Sequence, residues 1–273
     1  MNNLILNGNE KVLQARLFDA KFFWDKNKKQ NLVKQISKLK KITFFQKLGT
    51  MYDRSQRIRQ LSSIVADLIG ANKSEAEIAG SIAKADLVSD LVGEFPELQG
   101  VIGSHFATQQ GFSEEISNAI KDHYLPIGPK DNVPRSKVSI SVALADKIDV
   151  VLGFYGINEK PTSSKDPFAL RRSVLGIIRI IIRNKLSLSL KEIFNNAKNL
   201  FNQLSKITTL SKDNKEKGII IRGLNRKSII AACVYNGANL QGNPRTPKEI
   251  AEIFGITEKQ AVSYTHLTLP TKA

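Results

Sequence analysis

Between Ala83 and Gly100 the chain has few ways to fold. Ile82, Leu87, Leu91 and Val92 fall on one apolar face of a helix that carries Lys84, Asp86 and Asp90 and breaks at Gly93. Pro96 and Gly100 then bracket a short segment whose large apolar anchors are Phe95 and Leu98. Carboxylates beside a lysine on a half-buried helix supply the donors of a metal or phosphate site. They equally supply a salt-bridged structural helix, and the rest of the chain has to decide between the two.

The surrounding pattern is helical. Leu13, Leu17, Ala20 and Trp24 recur near 3.6-residue spacing over residues 10–24, and Leu32, Ile36, Leu39 and Ile42 give 26–47 an apolar stripe opposite its lysines. A helix opened by Tyr52 to Ile58 runs to Ile69 and stops at Gly70. Ser74 to Glu77 has the spacing of a capping box for the next one. Helical signals resume from Ser113 to Tyr124. Pro126, Gly128, Pro129 and Pro134 then mark an ordered loop. Residues 138–152 predict a buried helix bearing Asp146, Lys147 and Asp149, and Asp166 followed by Pro167 predicts a helix start. Ser189 to Glu192 is a second capping box, opening a helix from Ile193 to Leu204. No period-2 alternation stands out, so the expected class is all-α.

Composition changes after about residue 206. Residues 207–217 are polar and turn-like, 226–240 read as an apolar helix, and Thr246 to Glu249 is a capping box with proline at the first helical position. The turn through Gly255 and the helix start at Thr257 give this part helix-turn-helix character, which many helix pairs unconnected with DNA share.

At 273 residues, 41% apolar and a mean hydropathy of −0.20, the chain has globular values. Its most apolar segment, Val174 to Ile182, is too short to span a bilayer, and the N-terminus lacks a signal-peptide pattern. The single cysteine, Cys233, excludes an internal disulfide and a cysteine-based zinc site, and reads as a small core residue. No membrane and a cytoplasmic location are expected. The net charge of +16 is uneven: lysine plus arginine against aspartate plus glutamate is 14 to 4 over residues 1–60, 9 to 15 over 61–170 and 18 to 6 over 171–273. Two basic lobes flank an acidic middle. A polyanion explains them, as does a lysine-rich genome with no such partner.

Several stretches, taken in order, carry a family resemblance: Gly8–Val12, Ala15–Phe23, Gln46–Thr50, Lys84–Leu87 with Glu94–Gly100, His123–Pro126, Ala143–Asp149 and Ser164–Arg172. From residue 8 to about 205 the chain resembles the β subunit of the bacterial heterotetrameric glycyl-tRNA synthetase, of which it covers a middle part. The resemblance implies an all-helical domain related to the HD phosphohydrolase superfamily over 46–205, including the start of the following region. Residues 1–45 would be the end of a preceding domain plus a basic linker helix. A working HD site holds metal with a histidine on one helix, a His-Asp pair on another and an aspartate on a third. Here those positions fall on Arg54, Ala85 with Asp86, and Asp146, so both histidines are replaced. The expectation is a degenerate metal site, with Arg54, Asp86 and Asp146 as a buried ion-pair cluster and Lys84 and Arg171 in structural roles. His105 and His123 lie outside those helices.

Function follows as expectation. The resemblance assigns glycine activation with ATP to a separate α subunit. This chain would bind no cofactor and, alone, be inactive; its work would be to hold tRNA-Gly and contact the α subunit. Lys26, Lys28, Lys29, Lys34, Lys38, Lys40 and Lys41, with Arg172, Arg179 and Arg183, are the candidate backbone contacts. Two alternatives stand beside this reading: a metal-dependent HD phosphohydrolase, and a DNA-binding protein through residues 217–262. In that segment Arg226–Tyr235 and Pro244–Ile256 resemble part of a cyclin-type repeat of transcription initiation factor IIB. Ser263–Ala273 resembles translated sequencing-adapter DNA. Residues 206–273 are therefore expected to be a helical tail of different origin, in a chimeric or misassembled reading frame. Amplification from source DNA across codons 200–220 should then fail to yield one contiguous product; a single product of this sequence would refute the chimera.

Overall fold

The computed structural model describes residues 3–162, 165–209 and 246–254. In chain order they form α1 (Asn3–Asn27), α2 (Leu32–Gln35), a 3-10 turn (Ile36–Lys41), an antiparallel ribbon of β1 (Thr43–Phe45) and β2 (Gly49–Thr50), and α3 (Met51–Ile69). There follow α4 (Lys73–Ile82), a 3-10 turn (Ala85–Val88), α5 (Asp90–Glu94), a 3-10 turn (Pro96–Leu98), α6 (Val101–Gln109) and α7 (Glu114–Asp122). The long helices α8 (Lys137–Gly156), α9 (Leu170–Arg183) and α10 (Leu190–Thr209) come next, and then α11 (Pro247–Phe254). The class is all-α.

Local chemistry sets most boundaries. Thr50 and Asp53 close a reciprocal capping box at the start of α3, and Gly70 ends it in the left-handed conformation at φ 63°. Ser113, Ser136 and Ser189 cap α7, α8 and α10, each hydroxyl accepting an amide of the first turn. Four expectations shift. The cap of α4 is Asn72, whose side chain accepts from the Glu75 amide, so Ser74 lies inside the first turn. The helix expected to run through residues 83–92 is broken: α4 stops at Ile82, and Ser89, in extended conformation, caps the separate α5, within which Gly93 sits. Helix α9 starts at Leu170. Asp166 still caps it, from before the first turn, accepting from the amides of Leu170 (2.9 Å) and Arg171 (3.0 Å). The basic segment holds only short helical pieces before it extends into β1, because Phe44 and Phe45 pack edge-on against Phe154 of α8 (5.8 and 5.1 Å between ring centres). Helix α6 carries no strong sequence signal, since Gly100 and Gly103 weaken the pattern there.

Helix α8 is buried almost all round and packs against α3, α4, α7, α9 and α10. Ile58, Leu61 and Val65 of α3, Ile120 of α7, Leu144, Ile148 and Val151 of α8, Ile177 and Ile180 of α9 and Ile193 of α10 form one continuous core. The C-terminal end of α1 joins it through Trp24, whose ring meets Phe106 at 5.5 Å. Further up the same helix the expected apolar stripe is in the open, with Leu13 61% and Leu17 66% exposed. No helix among the described residues is long and apolar enough to cross a membrane. Thr246 and Glu249 make the expected capping box of α11. Residues 207–209, read as turn-like, continue α10. The apolar helix at 226–240, Cys233 and the second helix start at Thr257 lie outside the described residues.

Helices α3 and α4 approach each other closely at Gly80. A methyl group there would sit 2.7 Å from Ser62 Oγ and 3.1 Å from both Arg59 Cα and the Ile58 carbonyl oxygen. Gly80→Ala should therefore force the pair apart and lower stability by about 1–3 kcal/mol, measured by urea denaturation.

Candidate functional site

Four elements converge on Asp146 inside the core. On α8, one carboxylate oxygen of Asp146 accepts from Arg54 Nη2 of α3 (2.8 Å) and faces Lys84 Nζ at 2.9 Å. Lys84 sits in the turn after α4 and is 1% exposed, so its ammonium needs a full set of acceptors. It finds them: Asp146, His123 Nε2 at 2.9 Å, and the face of the Tyr124 ring, whose centre is 3.8 Å away. That contact fixes the histidine tautomer. Nε2 accepts from lysine, so Nδ1 carries the proton and donates to the Ile120 carbonyl at 2.6 Å. One turn along each helix the pattern repeats. Asp149 accepts from Arg57 Nε (2.6 Å) and Nη2 (3.3 Å) and faces Arg54 Nε at 3.5 Å. Lys147 donates to the carbonyls of His123 (3.3 Å) and Tyr124 (3.2 Å), and Gly176 of α9 makes room for its stem, since a methyl there would lie 2.8 Å from Lys147 Cε.

These contacts displace the proton equilibria of Lys84, Lys147, Asp146, His123 and Tyr124. Burial pushes Lys84 down to about 8 against the pull of Asp146, and burial likewise takes Lys147 down to about 8. Burial would raise Asp146, but Lys84 and Arg54 outweigh it and hold the carboxyl well below the usual range. Burial and the neighbouring Lys84 keep His123 neutral far below its ordinary value. Burial, with Asp86 and Asp146 nearby, raises the Tyr124 phenol.

Asp86 does not join this ion-pair cluster, contrary to expectation. Its Oδ2 accepts from the amides of Gly100 (2.6 Å) and Gly103 (3.2 Å), at the start of α6. Gly100 is the N-cap of that helix and has no side chain to offer, so Asp86 supplies the capping carboxylate from a distance. Both glycines are needed for the approach. A methyl on Gly100, at φ +81°, would meet the Ile120 carbonyl oxygen at 3.2 Å, and one on Gly103 would meet Asp86 Oδ2 at 3.0 Å. The other oxygen, Oδ1, is buried without a hydrogen-bond partner, and burial raises the Asp86 carboxyl. The segment from Glu94 to Gly100 carries the chain from α5 to this cap and is pinned on α1, where Arg16 pairs with Glu94 and lies over the Phe95 ring.

A divalent metal does not fit this donor set. Ala85 is a buried methyl with no donor to offer, Asp86 is spent on amides, and Arg54 and Lys84 already neutralise Asp146. Among the described residues no three of His, Cys, Asp and Glu converge to hold a metal ion. Sequence reading missed His123, Tyr124, Arg57, Lys147 and Asp149 as members of the cluster. Arg57 and Asp149 were in reach, each lying three residues beyond a recognised partner on the same helix face.

The surface cations divide into two sets. Along 26–41, Lys26 pairs with Asp90 (3.0 Å), Lys28 with Asp25 (2.5 Å), and Lys40 lies over the Tyr52 ring (4.8 Å). Lys29, Lys34, Lys38 and Lys41 are exposed, on a segment anchored by buried Leu32 and Leu39. On α9, Arg172, Arg179 and Arg183 line a cleft of about 920 Å³ together with Arg171, Lys185 and the loop from Pro126 to Pro129. Arg172 and Arg183 are exposed. Arg179 is committed inward, one terminal nitrogen on the Gly128 carbonyl and the other on that of Asp131, each at 2.6 Å. Arg171 donates to the Thr162 carbonyl.

Comparison with known proteins follows the same lines. The family model described as "Glycyl-tRNA synthetase beta subunit" matches residues 1–236. Among curated proteins, the "Glycine--tRNA ligase beta subunit" of Phenylobacterium zucineum is 52% identical over 190 residues, 68% of this chain and 28% of the relative. The proteins of the same name from Ruegeria sp. (49% over 195 residues, 70% and 28%) and Rhodospirillum centenum (48% over 196 residues, 71% and 28%) are similar. The chain thus spans just over a quarter of the length of these relatives.

The cluster fixes how stability depends on pH. In the unfolded chain His123 takes a proton near pH 6.5; folded, it refuses one. The unfolded state therefore binds more protons below that pH, and stability falls by up to about 1.4 kcal/mol per pH unit. Asp146 adds a second loss as pH drops through about 4, where the unfolded carboxyl protonates and the folded one does not. Urea denaturation from pH 7 to 5 should show the first slope, and His123→Gln should flatten it. An unchanged slope would show that this imidazole is not held neutral.

Proposed function

The chain belongs to the glycyl-tRNA synthetase beta subunit family, and from that premise we propose that it is the part of a ligase subunit that holds tRNA-Gly and docks on the α subunit. It works in the cytoplasm, where glycine activation with ATP is carried out by the partner. One observation carries this reading: Lys29, Lys34, Lys38 and Lys41 stand exposed on one short segment whose apolar side chains anchor it to the core. Four ammonium groups without a carboxylate between them attract a phosphate backbone and release its counterions. The segment is held as one short helix and a 3-10 turn, which spreads its charges along the surface.

The buried cluster belongs to the same reading. In a helical domain of the HD type, Arg54 and Lys84 supply from the protein itself the positive charge that a metal would bring to Asp146, and the result is a fixed joint between helices. Nothing in that joint is a nucleophile or a free general base: His123 Nε2 faces an ammonium, and Asp146 and Asp149 are engaged by cations. The phosphohydrolase alternative therefore lacks both metal ligands and base. The DNA-binding alternative concerns residues 217–262, of which only 246–254 are described.

The test is a tRNA-Gly titration of the full chain at several salt concentrations. Replacing Lys29, Lys34, Lys38 and Lys41 by glutamine should weaken binding and make the slope of log affinity against log salt shallower by up to about 3–4. Unchanged binding at low salt would overturn the assignment.

A further inference from the structure

A duplex backbone explains exposed lysines but not the cleft beside α9. One face of that helix, through Arg172, Leu175, Arg179, Ile182 and Arg183, forms one wall, and the loop from Pro126 to Pro129 forms the other. The loop wall is set in advance. Asp131 accepts from the amides of Ile127 (3.0 Å) and Gly128 (2.7 Å), and both terminal nitrogens of Arg179 hold loop carbonyls. Leu175, Ile182 and Ile127, the last 56% exposed, offer apolar surface. Arg172, Arg183 and Lys185 offer exposed cations. The acid in the lining, Asp166, has both carboxylate oxygens on backbone amides of α9.

A half-open cleft with an apolar wall and three exposed cations suits a ligand that has a flat, weakly polar body joined to an anion. Duplex RNA presents phosphates on a ridge and keeps its bases stacked inside, so it cannot place a base in such a cleft. An unpaired nucleotide can, with its phosphate among the cations and its base face on apolar or guanidinium surface. At about 920 Å³ the cleft has room for one nucleotide or two. We propose that the α9 cleft takes an unpaired nucleotide of bound RNA, its phosphate held by Arg172, Arg183 and Lys185 and its base packed against Ile127, Leu175 and Ile182. This rests on the RNA-binding reading above and adds to it a distinct subsite for single-stranded RNA. A free nucleoside monophosphate carries the same chemistry.

Titrations of the full chain separate these cases, using fluorescently labelled single-stranded RNA of six nucleotides, a blunt-ended RNA duplex, and unlabelled AMP as competitor. The triple variant R172Q/R183Q/K185Q and the single variant Ile127→Glu, both at exposed positions, should each weaken single-strand binding about tenfold or more. They should leave duplex binding changed less than about twofold, while the four-lysine variant weakens both. Equal losses for strand and duplex would reduce the cleft to one more patch of phosphate-binding surface and overturn the proposal. So would single-strand binding indifferent to both cleft variants. AMP that competes at the affinity of the oligonucleotide, and loses affinity in the cleft variants, would make this a free-nucleotide site and overturn the assignment to RNA. Failure of the wild-type chain to bind either RNA would sink the RNA-binding reading and this subsite together; duplex binding that ignores the cleft sinks the subsite alone.

Discussion

One carboxylate oxygen, on Asp146, holds the middle of this molecule together. Arg54 reaches it from α3 and Lys84 from the turn after α4, and Lys84 in turn meets His123 at the end of α7. Three separate pieces of chain are thereby referred to one point on α8. Taking such charges out of water costs several kcal/mol per ion, which their attraction offsets only when every donor and acceptor is matched. Around Lys84 they are matched: carboxylate, imidazole nitrogen and aromatic face account for its three N–H bonds. The cluster therefore adds less to net stability than to uniqueness, because any slip of α3 or α8 strands a buried charge.

The same logic extends outward from the cluster. Lys147 and Asp149, on either side of Ile148, tie α8 to the loop after α7 and to Arg57 of α3. Asp86 leaves the ion pairs and caps α6, where two glycines let a distant carboxylate approach the amides. Three acidic residues within one short radius thus do three different things. Each does what its nearest unsatisfied partner demands: a guanidinium for Asp149, two cations for Asp146, two amides for Asp86.

Cations show the converse. The basic excess of the sequence is a sum over groups with opposed roles. Arg57, Lys84 and Lys147 are buried and, with the half-buried Arg54, serve the core; Arg179 serves a loop; Lys26, Lys28 and Lys40 are taken by near neighbours. Among the described residues, Lys29, Lys34, Lys38 and Lys41 on the 26–41 segment and Arg172, Arg183 and Lys185 at the mouth of the α9 cleft stay exposed. Charge counting overstates the first lobe and gives no hint that part of the last one lines a concave, partly apolar site.

By itself the sequence determined the helical class, the caps at Ser189 and Thr246, the stop at Gly70, the burial of α8 and the family. These follow from spacing and from side chains that bond their own backbone within a few residues, so neighbours in sequence suffice. It misplaced the starts of α4 and α9, because Asn72, two residues before Ser74, is the cap that closes α4, and Asp166 reaches the amides of Leu170 and Arg171 from before the first turn. It also missed the ribbon, where Phe44 and Phe45 follow a ring that lies far along the chain. Only the tertiary structure decided which aspartate pairs with which cation in the stretch between Ala83 and Gly100 and its surroundings. Asp86 and Lys84 are two residues apart and share one sequence motif, yet one caps a helix and the other is locked on Asp146. A buried charge takes the partner that geometry brings within 3 Å, and that choice is made by the packing of α3, α6, α7 and α8.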